Sequence, residues 1–268
     1  MIQIDQTKCI GCGACTKDCI KNCLRIENGS LEMQHILSCI QCGHCVAVCP
    51  TGAVSIPEYA MDEVEAIPLR HELDPEVLLR AIKSRRSVRH FRDEPVSMAD
   101  IERIAAAARY TPTGRNRQEV ELILVRERLP ELIRAVLSVL VHLPEKPPAG
   151  ISPELIEQYR DRWTEMERAY LEEGKDPLFY KAPAVLVFTG RNVIDTALAA
   201  SNAELMVYAL GLGCVHVGFL EIAGKTEQIR RFFSLEPGRD LVCCLAIGHP
   251  DIHFLRTAPR QKKEFRMM

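Results

Sequence analysis

The sequence predicts an α+β protein in two parts, a short cysteine-rich unit followed by a larger body of mixed helices and strands. Three observations lead there. Nine of the 12 cysteines lie within the first 49 residues. Beyond residue 75, capped amphipathic helices alternate with short apolar runs that end at glycine or proline. At 268 residues, the chain has room for one sizeable core plus an appendage.

Composition narrows the function. Hydrophobic content of 47% and charged content of 26% belong to a soluble globular chain. Lys+Arg 34 against Asp+Glu 36 gives a net charge of -2, so there is no global basic field of the kind that serves nucleic acid or an anionic membrane. No apolar run approaches the roughly 18 residues that a spanning helix needs. The opening Met1 to Asp5 lacks the charged and apolar regions of an export signal, so a cytoplasmic location is expected. In a reducing compartment, dense cysteines point to metal ligation rather than to bridges.

The spacing of those cysteines is the strongest signal. Cys9, Cys12, Cys15 and Cys19 form a C-x2-C-x2-C-x3-C run, and Cys39, Cys42, Cys45 and Cys49 repeat it. Structural zinc usually takes two separated C-x2-C pairs, whereas three thiolates around one corner with a fourth from elsewhere suit a cubane iron–sulfur cluster. Gly11, Gly13 and Gly43 let the backbone wrap tightly beside these ligands.

The doubled run resembles the bacterial two-cluster ferredoxins. The resemblance implies that Cys9, Cys12, Cys15 and Cys49 hold one 4Fe-4S cluster and that Cys39, Cys42, Cys45 and Cys19 hold the second. Cys19 is followed by Ile20 where those proteins carry proline, and Cys23 is an extra thiol, expected to be buried and free rather than a swapped ligand. His44 is expected to be a surface group or a partner of a ligand. Residues 1–57 are too few to bury an adequate core, so the clusters also act as staples.

Residues 58–74 read as an acidic connector, with Glu58, Asp62, Glu63, Glu65, Glu72 and Asp74. Asp74-Pro75 then caps a helix whose apolar face is Val77, Leu78, Leu79, Ala81 and Ile82. It delivers a stretch in which Ser84, Arg85, Arg86, Ser87, Arg89 and Arg92 place four guanidiniums and two hydroxyls within nine residues. That density of forked donors suits a phosphate, although an isolated arginine run is more often a solvated face.

Ser97 and Asp100 form a capping box for a helix with Ile101, Ile104, Ala105 and Ala108 on one face. Tyr110 to Gln118 is a polar loop, and 119–125 a strand. Further helices are expected at 129–141, from Ser152-Pro153 to near Gly174, and at 195–210. Further strands are expected at 184–190, 214–220 and 241–248. Trp163, Tyr159 and Tyr170 are read as packing residues before substrate platforms. Cys243 and Cys244 are neighbours on a strand and face opposite sides, which argues against a bridge between them and for core packing.

Residues 75–268 resemble the FMN-dependent nitroreductase family. Arg85, Ser87, Arg89 and Phe91 match its R-x-S-x-R/K-x-F opening, and Pro112, Thr113, Asn116 and Gln118 match its P-S/T-x-x-N-x-Q loop, with further likeness through Asn202 to Phe219, Ile247-Gly248 and Pro259-Arg260. The resemblance implies a mostly antiparallel central sheet flanked by helices. It also implies FMN, with Arg85, Arg86, Ser87 and Arg260 near the phosphate, Arg89 and Asn116 near the N1 and C2 carbonyl edge, and Val217 and Gly218 approaching the ring near N5. A homodimer is implied, with the flavin at the interface and Pro112, Thr113 and Asn116 reaching across. Glu119-Val120 departs from the family's Pro-Trp after Gln118, which leaves the pocket shape open.

The expected function is an electron relay, from a low-potential donor through two 4Fe-4S clusters to FMN and on to a small flat electrophile such as a nitro compound or quinone. Ferredoxin, hydrogenase and NAD(P)H are all open as donors. No catalytic side chain is required, because the cofactors carry the chemistry; His216 reads as a wall residue before a proton donor. Two rivals stand beside this reading: reduction of a dedicated metabolite, and an electron carrier with no small-molecule substrate.

Overall fold

The computed structural model describes residues 1–68, 70 and 73–268; Glu72, counted above with the acidic connector, lies outside the described residues. The chain divides into two compact units. One comprises Met1–Glu72 with Thr113–Arg117, the other Leu73–Pro112 with Gln118–Met268.

The cysteine-rich unit is built as two similar halves. The first holds β1 (Gln3–Ile4), α1 (Ala14–Asp18) and β2 (Leu24–Glu27), and the second holds β3 (Ser30–Met33), α2 (His44–Ala47) and β4 (Val54–Ser55). β1 pairs antiparallel with β4, and β2 with β3. Asn28 and Gly29 join the second pair, both at positive φ (51° and 80°), the two-residue turn that Asn-Gly favours. The core is small: Ile2, Leu24, Leu31, Val54 and Ile56, with Cys15 and Cys45 buried among them. Cys9, Cys39 and Cys49 pack against that cluster, which fits the expectation that bound metal must help hold the unit.

The larger unit starts with α3 (Pro75–Ser84), where Asp74 accepts from the Glu76 N–H and proline occupies the first turn, as its sequence requires. Its apolar residues Val77, Leu79 and Ile82 are exposed. α4 (Met98–Arg109) begins at Ser97, whose hydroxyl accepts from the Asp100 N–H. β5 (Glu121–Val125), α5 (Leu129–Val141), α6 (Pro153–Glu173), β6 (Ala184–Gly190) and α7 (Val193–Ala209) follow, then β7 (Gly213–His216), α8 (Gly218–Ala223), α9 (Glu227–Phe232) and β8 (Asp240–Gly248).

The sheet order is β5-β6-β8-β7, antiparallel throughout. All seven residues of β6 are buried, and strand alternation divides them between two cores. Val185 and Val187 join Cys244, Ala246 and Val215 beneath α5, α6 and α8. Ala184, Leu186 and Phe188 join Leu245, Ile247 and Cys214 beneath α4 and α7. Trp163 is wholly buried in the first core, stacked on Tyr159 and edge-on to Phe219, a packing role.

Two expectations are corrected. The strand expected over 214–220 stops at His216, because the last ladder bond is Val217 N–H to Cys244 O (3.1 Å) and the chain then turns into α8. Leu220 and Ala223, three residues apart, bury on one face of that turn, so helical spacing wins over strand spacing. The short helix α9 was not foreseen; Ile229 is its one buried residue, too little periodicity to read.

The arginine stretch is fixed to this sheet. Ser87 forms a parallel bridge with Cys214, and the Val88 N–H donates to Cys214 O at 2.9 Å. Gly213 permits this approach, since a Cβ there would lie 2.6 Å from Val88 Cγ2. Gly213→Ala should therefore destabilise the protein by about 1–3 kcal/mol, and Val88→Ala added to it should restore part of the loss. Denaturant midpoints of the two variants test this, and a Gly213→Ala protein as stable as the parent would show that the contact yields freely.

Candidate functional site

In the cysteine-rich unit, one device occurs twice. Gly13 (φ 73°) and Gly43 (φ 78°) sit in the left-handed region at the starts of α1 and α2, a conformation glycine adopts without strain. Each turn presents the thiols on either side of it: Cys9, Cys12 and Cys15 line one cavity together with Cys49 from the other half. In the second set Cys45 lies near Cys42 and Cys39, and Cys23 lies against Cys19 and Cys39. Backbone N–H groups aim at sulfur in both sets, from Ala53 to Cys49 (3.2 Å), Cys23 to Cys19 (3.3 Å) and Gln41 to Cys39 (3.4 Å). Such donors stabilise thiolate charge.

The sulfur environments differ from one another. Burial first, then Cys42 and Cys39, push the Cys45 thiol up to about 11. Burial likewise raises Cys15, whereas at Cys49 burial is outweighed by hydrogen bonds from Thr51, Ala53 and Val54, and its pKa falls. Four sulfurs crowded together repel one another as thiolates until a metal takes their charge. Cys23 is 1% exposed and donates to the carbonyls of Lys21 (3.6 Å) and His35 (3.7 Å), the buried thiol that was expected. His44 Nδ1 meets Asp18 Oδ2 at 2.9 Å, which links α2 to α1.

In the larger unit, a cavity at the edge strand is lined by Ser84, Arg85, Arg86, Glu204, Gly213 and Cys214, among others. Because Ser87 is bridged to β7, the arginines lie beside the strand that ends at His216, just before Val217 and Gly218. A Cβ on Gly218 would meet nothing within 4 Å, so its backbone faces open space that a flat ring can approach. These residues fit a phosphate-bearing planar cofactor: forked cations along the strand and an uncovered strand end. Arg89 is exposed, with its guanidinium 5.9 Å from the Tyr180 ring centre.

Arg85 is not a free fork, however. Its NH1 donates to Glu204 Oε1 at 2.5 Å, and Glu204 is 9% exposed on α7. Glu204 also lies 4.0 Å from Cys214 Sγ and 3.7 Å from His216 Nε2. The Cys243 hydrogen bond first, then Glu204, raise the His216 imidazole to about 9. This carboxylate escaped the sequence reading, although a glutamate within an alanine-rich apolar helix face was a visible signal.

The other expected flavin residues fall elsewhere. Thr113 and Asn116 pack with the cysteine-rich unit, where Asn116 Nδ2 donates to Gln41 O at 2.8 Å and to Tyr59 Oη at 3.4 Å. Arg115, Asn116 and Gln118 are all left-handed (φ 57°, 54° and 53°), an unusual concentration of costly backbone in one loop. Pro112, Gln118 and Arg260 are exposed in the larger unit.

Comparison with known proteins agrees with this division. Residues 82–249 match the Nitroreductase family model, and residues 8–54 match the 4Fe-4S dicluster domain. A 4-nitrobenzoate reductase of Pseudomonas putida is 26% identical over 207 residues, covering 68% of this chain and 89% of that enzyme. An uncharacterized ferredoxin of Methanocaldococcus jannaschii is 40% identical over 58 residues, 20% of this chain and 75% of the ferredoxin. In fold, a nitroreductase with bound FMN from Bacteroides fragilis superposes with a TM-score of 0.57 at 18% identity, over 71% of this chain and 98% of that one.

Arg85→Ala would strand the Glu204 carboxylate in a mostly dry site. We expect a stability loss on the order of 2 kcal/mol, below that of a fully buried pair because Arg85 keeps some exposure. Arg85→Ala combined with Glu204→Gln should recover most of it in chemical denaturation; equal stabilities of the single and double variants would show that the pair contributes nothing.

Proposed function

Because the chain belongs to the nitroreductase family and carries a 4Fe-4S dicluster domain, we propose that it takes single electrons from a low-potential donor through two clusters and FMN and passes them to a small flat electrophile, such as a nitro compound or quinone. The observation that carries the reading is the pairing, in one chain, of two four-cysteine sets with an arginine-lined strand end. FMN, when bound, supplies the conversion between single electrons and hydride equivalents. The rest is the work of side chains.

Cys9, Cys12, Cys15 and Cys49 hold one cluster and Cys39, Cys42, Cys45 and Cys19 the other, supported by their convergence in the cysteine-rich unit. Arg85, Arg86, Ser87 and Arg260 grip the phosphate. Arg89 and Asn116 place positive charge and an amide at the carbonyl edge of the ring, which favours its reduced form. Val217 and Gly218 let the ring approach the backbone. Glu204 holds Arg85 in place before the phosphate arrives.

Two copies of the chain share each flavin, with Pro112, Thr113, Asn116 and Gln118 brought from the partner. The exposed Val77, Leu79 and Ile82 of α3 support an apolar contact between copies. The tie from Asn116 to Gln41, between the ligands Cys39 and Cys42, supports a coupling of the flavin loop to the second cluster.

Anaerobically purified protein should contain iron and FMN together and turn over an added nitro or quinone acceptor. Cys42→Ser should keep the flavin and slow its reduction by an external one-electron donor on the order of tenfold or more. Protein that is colourless or rich in zinc would refute the relay. Flavin and iron without acceptor turnover would identify an electron carrier instead.

A further inference from the structure

β8 is longer than the strand beside it. β7 pairs with Leu245 to Gly248 and ends at His216, opposite Leu245, while β8 continues back through Cys244 and Cys243 to Asp240. Strand alternation puts Cys243 on the same face as Leu245, and therefore on the face of His216. At this step α8 begins, and its residue Glu221 turns toward the uncovered stretch of β8. The imidazole nitrogen of His216, a carboxylate oxygen of Glu221 and the Cys243 sulfur consequently lie within 4.8 Å of one another.

From this convergence we propose that His216, Glu221 and Cys243 form a binding site for a divalent zinc-like ion, separate from the two cluster sites. The donor set decides the class of ion. Thiolate with imidazole selects a borderline-soft transition ion over magnesium or calcium, which take oxygen ligands. Three protein ligands leave a fourth tetrahedral position for water. In such a shell the ligand atoms stand about 3.3–3.6 Å apart, so separations of up to 4.8 Å need to close by about 1.5 Å at most, within the reach of Glu and His torsions.

The surroundings suit the assignment. The His216 side chain is 42% exposed, which provides an entry path, while Glu221 and Cys243 are partly buried. Glu221 makes no salt bridge among the described residues, although the charges of His216 and Lys225 act on it. Glu204 Oε1, 3.7 Å from His216 Nε2 and itself held by Arg85, is placed to orient the imidazole, the outer carboxylate that ligating histidines commonly have. Binding displaces the imidazolium proton of His216 and the thiol proton of Cys243, since both ligands must be deprotonated, and releases both protons to solvent.

The test uses the full holoprotein, purified without oxygen and dialysed against zinc. Absorption at the zinc edge reads the ligand shell without interference from iron. A shell of one sulfur at about 2.3 Å with nitrogen and oxygen at about 2.0 Å is expected, at one zinc per chain. Cys243→Ser should remove the sulfur, and both it and Glu221→Gln should weaken zinc binding by about tenfold or more, with iron and flavin contents unchanged. A four-sulfur shell would mean zinc in the cysteine sets of the N-terminal unit and would overturn the proposal, as would the absence of stoichiometric zinc. These readings come from the parent protein, so they stand even if a variant fails to fold.

Discussion

The backbone bond from Val88 N–H to Cys214 O organises the larger unit's chemistry. It sews the arginine stretch to the edge of the sheet and fixes where guanidiniums stand relative to the end of β7. Without it the arginines would be a solvated run on a flexible segment, the bland reading of their sequence. Gly213 makes the close approach possible, and Glu204 meets the first arginine from the opposite side, so three elements converge on one short strand. A strand only four residues long thereby anchors the arginine stretch.

The cysteine-rich unit solves a different problem. Its apolar core is a handful of side chains, well below what a free-standing domain of this length needs. Its thiols are drawn inward all the same, where burial penalises their ionised form and mutual repulsion adds to the penalty. Bound metal resolves both difficulties at once, since it neutralises the sulfurs and ties the two halves across each other. Folding and cofactor loading are therefore one equilibrium in this unit, in contrast to the sheet unit with its two extensive cores.

Much of this was legible beforehand, and the reasons are local. Asp74-Pro75, Ser97 with Asp100, and Ser152-Pro153 announce helix starts because capping is chemistry between near neighbours, and the structure has all three. β6 and β8 declare themselves by unbroken apolar runs. What stayed hidden depends on distant partners. Glu204 is 119 residues from Arg85, and no spacing rule connects them. The end of β7 at His216 was missed because 214–220 is apolar enough for either a strand or a helix, and only the burial of Leu220 and Ala223 on one face decides. Cys243 was assigned to packing because its relation to His216 and Glu221 arises from the step between β7 and β8.

The loop Thr113–Arg117 belongs by sequence to the body of the chain and by packing to the iron–sulfur module, where Asn116 grips the backbone between two cysteines. A shortened chain starting after the connector would keep every residue of the loop and lose Gln41 and Tyr59, the two acceptors of the Asn116 amide.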